Sequence, residues 1–296
     1  MERTLSVVGA GRAGAALAIA AHERGWRIAA VASRDQSHAQ QLAAATDATA
    51  VRTAAQAATQ AALTILAVPE SQVVRVAATI AANGVALRNR IIAHCSASLG
   101  TDVLASLREN AASVGVVHPL QALSGDHSAD LLDGSYFRVE GDAHALQTIN
   151  TFVHDLGGIQ LHIAPEHRAL YHAAAVLAGN APLTLLARAT ALLVDAGVEP
   201  GTAHAALATL LEGSARNARR SGAAAALTGP VARGDAATVQ ANLDALAADP
   251  AARELYLTLA REMLALAGTS GRERVAHTLD AAEHATRPRL AHPRVA

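Results

Sequence analysis

The feature that most constrains this chain is a glycine-rich loop near its N-terminus, Gly9-Ala10-Gly11-Arg12-Ala13-Gly14. The loop directly follows an apolar run over 5–8 and opens an Ala-rich segment, so it lies at a predicted strand-to-helix turn. There the first glycine allows the tight bend, the second lets the backbone approach a pyrophosphate, and the third lets helix pack on strand. Unpaired N–H groups at the helix start favour an anion. The loop therefore predicts a Rossmann-type dinucleotide site.

The N-terminal half of the chain alternates short apolar runs with helical segments, which is typical of βαβ units around a parallel sheet. The predicted strands cover 5–8, 27–32, 63–68, 91–94, 113–117, 136–140 and 160–163. After Pro165 the pattern becomes helical, with helices predicted over 166–196, 201–221, 236–248 and 251–267. We expect an α/β protein with a Rossmann domain over 1–164, an all-helical domain over 165–286 and a mobile tail over 287–296.

Composition and charge narrow the class of protein. Hydrophobic residues make up 51% of the chain, enough for it to fold as a globular protein. The formal net charge is -1 and no long block of like charge occurs, so we expect no nucleic-acid partner and no membrane surface. Cys95 is the single cysteine, and the N-terminus enters a strand without a signal-peptide pattern. We expect a cytoplasmic protein whose partners are small molecules or itself.

The chain contains no lysine, because all 24 residues in its Lys+Arg count are arginines. Every mechanism that depends on a lysine side chain is therefore excluded. Aromatic residues are only 2% of the chain, which disfavours base-stacking platforms and an aromatic-lined flavin site.

The end of the second predicted strand indicates which dinucleotide is bound. An NAD site usually carries an acidic residue there, but this strand ends in Ser33-Arg34. A hydroxyl and a guanidinium suit a 2′-phosphate, so NADP(H) is preferred, while Asp35 one position later keeps NAD(H) possible. Arg12 is a further phosphate ligand or a solvated surface residue. Val68 and Pro69 end a buried strand where a nicotinamide or ribose would lie, although Pro69 also suits the first turn of a helix.

Several further stretches carry a resemblance to a known family. They are His94-Cys95-Ser96-Ala97, His118-Pro119-Leu120-Gln121, the segment from Tyr171 to Asn180, Leu227-Thr228-Gly229-Pro230 and Arg233-Gly234-Asp235. The chain resembles Rossmann-like oxidoreductases whose C-terminal half is the domain of unknown function 2520. These belong to the 6-phosphogluconate dehydrogenase C-terminal-like superfamily, with ketopantoate reductase and pyrroline-5-carboxylate reductase. The resemblance implies a nicotinamide-dependent oxidoreductase and a homodimer formed through the helical domains. It supplies no substrate, and the catalytic lysine of ketopantoate reductases and hydroxyacid dehydrogenases is missing.

Histidines are the best candidates for proton transfer during hydride transfer to a carbonyl or imine, since their ordinary pKa lies near neutral pH. His94 and His118 lie at the ends of predicted strands, and His172 lies on the first helix after Pro165. Pro119 pushes His118 into an extended conformation that could point its ring at the cleft. His118 and His172 both remain candidates for the proton donor; the alternative for His118 is a bond to a neighbouring loop.

Other polar residues are candidates for binding substrate. Asn180 lies in an apolar run on the same predicted helix face as His172, and burial would make its amide seek a partner. Its alternative is a capping or kink role beside Pro182. Ser96 could bond a substrate oxygen or the nicotinamide amide, whereas Cys95 is expected to be buried and inert. Thr228 and Arg233 could bind a substrate carboxylate, with an Arg–Asp pair that shapes the loop as the alternative. No metal-ligand spacing occurs.

These observations predict an NADP(H)-dependent reductase that transfers hydride to a small carbonyl or imine without a catalytic lysine. The alternative from another class is a non-catalytic NADP(H)-binding sensor or regulatory protein. A methyltransferase is disfavoured, because no acidic residue ends the second strand and the second domain is helical.

Overall fold

A computed structural model describes residues 2–124 and 129–286, and the predicted tail over 287–296 lies outside the described residues. The chain forms two compact units, Met1–Ala181 and Pro182–Ala296. The division falls later than the predicted boundary at 164, so the first helix after Pro165 belongs with the sheet.

The first unit contains an eight-stranded sheet in the order β3-β2-β1-β4-β5-β6-β7-β8. The strands are β1 (Thr4–Val8), β2 (Arg27–Ala32), β3 (Thr49–Val51), β4 (Leu63–Leu66), β5 (Ile91–His94), β6 (Ser113–Pro119), β7 (Tyr136–Gly141) and β8 (Ile159–Leu161). All neighbours pair in parallel except β6 and β7, which are antiparallel. The order reverses between β1 and β4, and such a switch point is where open α/β sheets bind ligands.

Helices cover the sheet of the first unit. They are α1 (Arg12–Glu23), α2 (Gln36–Ala45), α3 (Ala54–Gln60), α4 (Glu70–Ala82), α5 (Ala105–Glu109), α6 (Ala143–Asp155) and α7 (Arg168–Gly179). Alternate strand residues enter two separate cores: Leu5 and Val7 belong to one, and Val8 to the other. Because successive strand side chains point to opposite faces, this pattern means that both faces are buried, as parallel sheets require.

The predicted fold class is confirmed, and the differences are local. The short strand β3 and the helix α3 were not predicted. β3 has three residues, and only Val51 among them is buried, so it lacks the apolar run that predicts a strand. Antiparallel pairing of β7 was not predicted either, since buried strands of both kinds are apolar runs. The predicted helix over 166–196 is divided: a 3-10 turn over Pro165–His167 precedes α7, and the next helix begins at Ala181.

The second unit is all helical. Its helices are α8 (Ala181–Asp195), α9 (Pro200–Ser221), α10 (Ala223–Ala226), α11 (Pro230–Arg233), α12 (Ala236–Ala245), α13 (Pro250–Ala267) and α14 (Glu273–Thr286). Helices α11 to α14 share one core, which includes Val231, Val239, Leu257 and Leu279. The short α11 lies between the predicted helices over 201–221 and 236–248.

Within the described residues, one helical segment has the length and composition to cross a membrane. It is Pro165–Asp195, with a mean hydropathy of 1.4. None of its most apolar stretch is buried. Leu170 and Leu177 on α7 are 69% and 71% exposed, and Leu183 on α8 is 60% exposed. Helices of both units thus carry exposed leucines.

Candidate cofactor and active site

The glycine-rich loop connects β1 to α1 at the switch point of the sheet. Gly11 is the N-cap of α1 and supplies no side chain, so the first N–H groups of this 12-residue helix have no side-chain cap. A Cβ on Gly11 would meet nothing within 4 Å, which leaves the backbone open to a phosphate. The residues present therefore fit a pyrophosphate at the start of α1.

The other two glycines of the loop are required by close packing. Gly9 has a φ of +108°, and a Cβ there would overlap the carbonyl of Ala67. A Cβ on Gly14 would overlap the carbonyl oxygen of Gly9. The predicted roles of the first and third glycines thus have a direct steric basis. Val68 packs against the same loop, since its Cγ1 would lie 3.2 Å from a Cβ on Gly9. Pro69 is the N-cap of α4.

The three polar residues that follow β2, Ser33, Arg34 and Asp35, have different surroundings. Asp35 is the N-cap of α2, where its carboxylate accepts hydrogen bonds from Ser37 N at 2.9 Å and Ser37 Oγ at 2.6 Å. These bonds hold the pKa of Asp35 below its ordinary value. Arg34 is exposed and Ser33 is partly buried. The acidic side chain is therefore engaged by its own helix, while the guanidinium is exposed to solvent.

His94, at the end of β5, has a structural role. The ring is fully buried, and the N–H of Ser96 lies 3.2 Å from Nδ1, so Nδ1 accepts and Nε2 carries the proton. Nε2 lies 3.0 Å from the Gly100 carbonyl and donates to it. Burial lowers the pKa of His94, which keeps the ring neutral. Both nitrogens are occupied in fixing the loop after β5.

Ser96 and Ser98 in that loop bind Glu70, the first residue of α4. The Ser96 hydroxyl donates to Glu70, and so do the Ser98 hydroxyl at 2.8 Å and the Ser98 N–H at 3.2 Å. Burial opposes ionisation of Glu70, but these bonds outweigh it and hold the pKa of the carboxyl below its ordinary value. The single proton of the Ser96 hydroxyl is thus directed at Glu70. Cys95 beside it is inert, because burial raises the pKa of its thiol to about 12.

His118 and Tyr171 form the central pair of the site. His118 lies near the end of β6, and its Nδ1 is 2.8 Å from the Tyr171 hydroxyl of α7, with the rings edge-on. Burial, with a smaller effect from Arg138, lowers the pKa of His118 to about 4. Burial raises the pKa of Tyr171 to about 12, and Arg138 opposes that shift. The ring was expected to titrate near neutral pH; its surroundings instead keep it neutral there.

Arg138 on β7 is the charged residue directly opposite His118 in the antiparallel pair. It is fully buried, and its Nη1 donates to the carbonyls of Ala97 and Leu99, each at 3.0 Å. Its Nη2 donates to Glu140 at 2.6 Å, and Arg168 of α7 donates to the other Glu140 oxygen at 2.5 Å. Arg138 therefore ties the loop after β5 to β7, and Arg168 ties α7 to the same carboxylate.

The remaining predicted residues are all exposed. His172 is exposed on α7 and close enough to Glu70 and His118 to act on both electrostatically. Asn180 is the exposed C-cap of α7, so its amide is not buried as expected, and its roles in capping and in substrate binding both stay predictions. Thr228 and Arg233 are exposed residues of the second unit.

The site also contains residues that the sequence reasoning missed: Glu70, Tyr171, Arg138 and Glu140. Arg138 had a detectable sequence pattern, since a charge between Phe137 and Val139 in a buried strand needs a partner. Tyr171 is one of three tyrosines, but nothing in the sequence shows that it reaches a histidine 53 residues away.

Within the described residues no group of three or more His, Cys, Asp or Glu side chains is placed to hold a metal ion. Hydrogen bonds and ion pairs hold the polar cluster together, including those of His118 with Tyr171 and of Glu140 with Arg138 and Arg168.

Comparisons with known proteins agree with this architecture. A Rossmann-like domain model matches residues 2–119, and the domain of unknown function DUF2520 matches residues 135–263. No curated protein matches the chain.

Three solved structures illustrate the shared fold. BF3122 from Bacteroides fragilis, provisionally named an NADP oxidoreductase, is 24% identical over 88% of this chain and 97% of its own, with a TM-score of 0.71. Protein TM1727 from Thermotoga maritima is 23% identical over 89% and 98%, with a TM-score of 0.69. Pyrroline carboxylate reductase from Plasmodium falciparum, solved with NADP bound, is 14% identical over 95% and 97%, with a TM-score of 0.57.

At these identities the likeness to solved structures shows the fold alone. The two domain models show which part of the chain matches which domain. The resemblance inferred from the sequence is confirmed: a Rossmann-like domain model and a DUF2520 domain model match successive parts of the chain.

Proposed function

We propose that the protein is an NADP(H)-dependent reductase that transfers hydride to a small carbonyl or imine without a catalytic lysine. The observation that carries the proposal is the position of the polar cluster. Glu70, Ser96 and His118 all lie where strands β4, β5 and β6 end, and the glycine-rich loop follows the parallel strand β1. Cofactor loop and proton-transfer groups therefore share one edge of the sheet.

A bound nicotinamide dinucleotide would supply the hydride. The loop from Gly9 to Gly14 would hold its pyrophosphate, and Ser33 and Arg34 would face its ribose phosphate. NADP(H) is preferred because the carboxylate of Asp35 is engaged in capping α2. NAD(H) binding remains possible, since nothing at the loop itself requires a 2′-phosphate. The NADP named for the Plasmodium relative supports this choice.

We assign the proton donor to His118 rather than to His172. His118 has a fixed orientation, because Tyr171 holds its Nδ1, and Nε2 has no hydrogen-bond partner in the described part of the chain. Nε2 is thus available to a substrate oxygen or nitrogen. His172, Ser96 and Asn180 are proposed to line the substrate site, with Thr228 and Arg233 as candidates for a substrate carboxylate.

The direct test is to titrate the purified protein with NADPH by fluorescence and then to measure NADPH oxidation with a panel of carbonyls and imines. We expect tight NADPH binding and turnover of at least one class. Binding without any turnover would favour the non-catalytic sensor, and a lack of binding to either dinucleotide would contradict the proposal.

Replacement of Arg34 by alanine tests the choice of cofactor. The guanidinium is a charge-assisted donor to a phosphate, and such a bond contributes about 1.5–3 kcal/mol, or roughly 10- to 100-fold in affinity. We expect the Kd of NADPH to rise by that factor and the Kd of NADH to change little. Arg52→Ala serves as a control for the loss of an exposed arginine. Equal losses for both dinucleotides would rule out the 2′-phosphate assignment.

We further propose that the protein is a cytoplasmic homodimer. Each unit exposes large apolar side chains: Leu170 and Leu177 on α7 of the first, and Leu183 and Leu210, at 60% and 65% exposure, on α8 and α9 of the second. Exposed apolar surface of this kind marks contacts with another protein. A second copy of the chain is the occupant that the family resemblance implies.

Charge on this surface should dissociate the dimer. Leu177→Glu places a carboxylate on the exposed face of α7, and burying it unpaired in an interface costs several kcal/mol. We expect sedimentation velocity to show a dimer for the unmodified protein and a monomer for the variant. Leu266→Glu, at a 46% exposed position on α13, should leave the dimer intact. A monomer before any substitution would refute the proposal.

A further inference from the structure

We propose that Tyr171 supplies the proton that His118 passes to the substrate, so that the two side chains act as a relay from the Tyr171 hydroxyl through the imidazole. This inference rests on the proposed function, since it describes how a reductase without lysine would deliver its proton. In the relay Tyr171 is a positioning and proton-supplying residue that acts through His118.

The geometry of the pair supports this direction of transfer. The Tyr171 hydroxyl and His118 Nδ1 are 2.8 Å apart, and Tyr171 is only 8% exposed. When the hydroxyl donates to Nδ1, the neutral imidazole carries its proton on Nε2. Nε2 is the nitrogen without a partner in the described chain, so it is free to donate to a substrate heteroatom.

The surroundings of His118 disfavour the alternative of an imidazolium donor. The groups that face it are Arg138 of β7, His172 and Tyr171 of α7, His94 of β5 and Glu70 of α4. Arg138 is fixed directly across the strand pair, and Glu70 is the carboxylate among these groups that would stabilise a cation. With burial added, the pKa of about 4 leaves roughly one imidazole in a thousand charged at pH 7. A neutral His118 needs a second proton source.

The relay balances protons and electrons. A nicotinamide reductant delivers hydride to the substrate carbon, and the π electron pair moves to the substrate oxygen or nitrogen. That atom takes the Nε2 proton, while the Tyr171 proton moves to Nδ1. Imidazole thus remains neutral throughout, and the tyrosine becomes a phenolate that water later reprotonates. Without Tyr171 the same transfer would leave an imidazolate, a far stronger base.

Arg138 explains how a buried phenolate would be tolerated. Its guanidinium is fixed by the carbonyls of Ala97 and Leu99 and by Glu140, and its positive charge lowers the pKa of Tyr171 against the effect of burial. A pre-oriented cation stabilises developing negative charge without reorganisation. The chain thus places a buried arginine close to the group that becomes the anion.

The first test needs neither cofactor nor substrate. Long-range ¹H–¹⁵N NMR of the free protein at pH 7 should show His118 protonated on Nε2, with a hydrogen-bonded Nδ1 whose shift changes in Tyr171→Phe. A ring protonated on Nδ1 would make the tyrosine the acceptor and overturn the relay. The readout decides the direction of the hydrogen bond even if no reductase activity is found, so it separates this inference from the proposed function.

The second test is kinetic. Tyr171→Phe should lower kcat by about 100-fold or more, the range of positioned acid–base catalysis, with little change in KM or in NADPH affinity. The wild-type proton inventory should be curved, because two protons move, and should lose that curvature in the variant. Tyr136→Phe, at a 48% exposed tyrosine, is the matched control and should behave as wild type.

The pH dependence of kcat distinguishes the two donors. A neutral relay predicts a flat profile between about pH 6 and 9, since His118 is already neutral and Tyr171 titrates only at about 12. An imidazolium donor predicts a tenfold fall with each pH unit across that range. Such a fall, or unchanged kcat in a folded Tyr171→Phe, would overturn the relay.

Discussion

Replacing Gly14 by alanine is expected to abolish dinucleotide binding and to destabilise the first unit. The new Cβ would overlap the backbone carbonyl of Gly9 and lie 3.1 Å from the Cβ of Ala67, and neither neighbour is a flexible side chain that can move aside. Either α1 shifts away from β4 or the loop changes shape, and both move the start of the helix. Overpacking of this kind typically costs about 1–3 kcal/mol in the free energy of unfolding.

The comparison variant is Gly213→Ala, in the middle of α9. A Cβ there meets nothing within 4 Å, so the substitution only improves helix propensity, by roughly 0.5–1 kcal/mol. The two Gly-to-Ala substitutions should thus change the free energy of unfolding in opposite directions, as measured by urea unfolding. We expect the Kd of NADPH to rise at least 100-fold in Gly14→Ala and to stay unchanged in Gly213→Ala. Normal NADPH affinity in Gly14→Ala would contradict the assigned role of the loop.

The sequence predicted the sheet well because its strands are buried on both faces. Runs such as Leu63–Leu66 and Ile91–His94 are buried throughout and mostly apolar. The glycine loop was predicted in detail for a different reason, because the spacing of its glycines between a strand and a helix is itself a sequence pattern. β3 was missed because it is short and half exposed, so its sequence hardly differs from that of a turn.

The polar site was predicted only in part, because its partners are distant in sequence. His118 and Ser96 were identified from their places at strand ends. The bonds to Tyr171 and Glu70 depend on how α7 and α4 pack, which no local pattern records. Burial also reversed one chemical expectation. His118 was expected to titrate near neutral pH but is neutral there. The proposed proton source is therefore Tyr171, which is bonded to its Nδ1.

Replacement of Arg138 by methionine is the second large effect that we expect. Methionine fills much of the space, but the carbonyls of Ala97 and Leu99 lose their Arg138 donor, and Glu140 keeps only Arg168 and the Thr101 N–H. Removing one partner of a buried ion pair costs about 3–5 kcal/mol. Arg216→Met is the control, because its ion pair with Glu212 is 73% and 72% exposed and contributes at most about 0.5 kcal/mol.

The stability lost in Arg138→Met should depend on pH, and Glu140 sets the direction of that dependence. Burial opposes ionisation of this carboxyl, but Arg168, Thr101 and Arg138 outweigh it and hold its pKa below the ordinary 4.5. A lowered folded-state pKa adds stability that is fully present above 4.5 and is lost as the pH falls through the folded value. The variant lacks part of that contribution. Urea unfolding should therefore show the largest difference between wild type and variant at neutral pH and a smaller one below pH 4.5. A difference that widened on acidification would show that Arg138 does not stabilise the ionised Glu140.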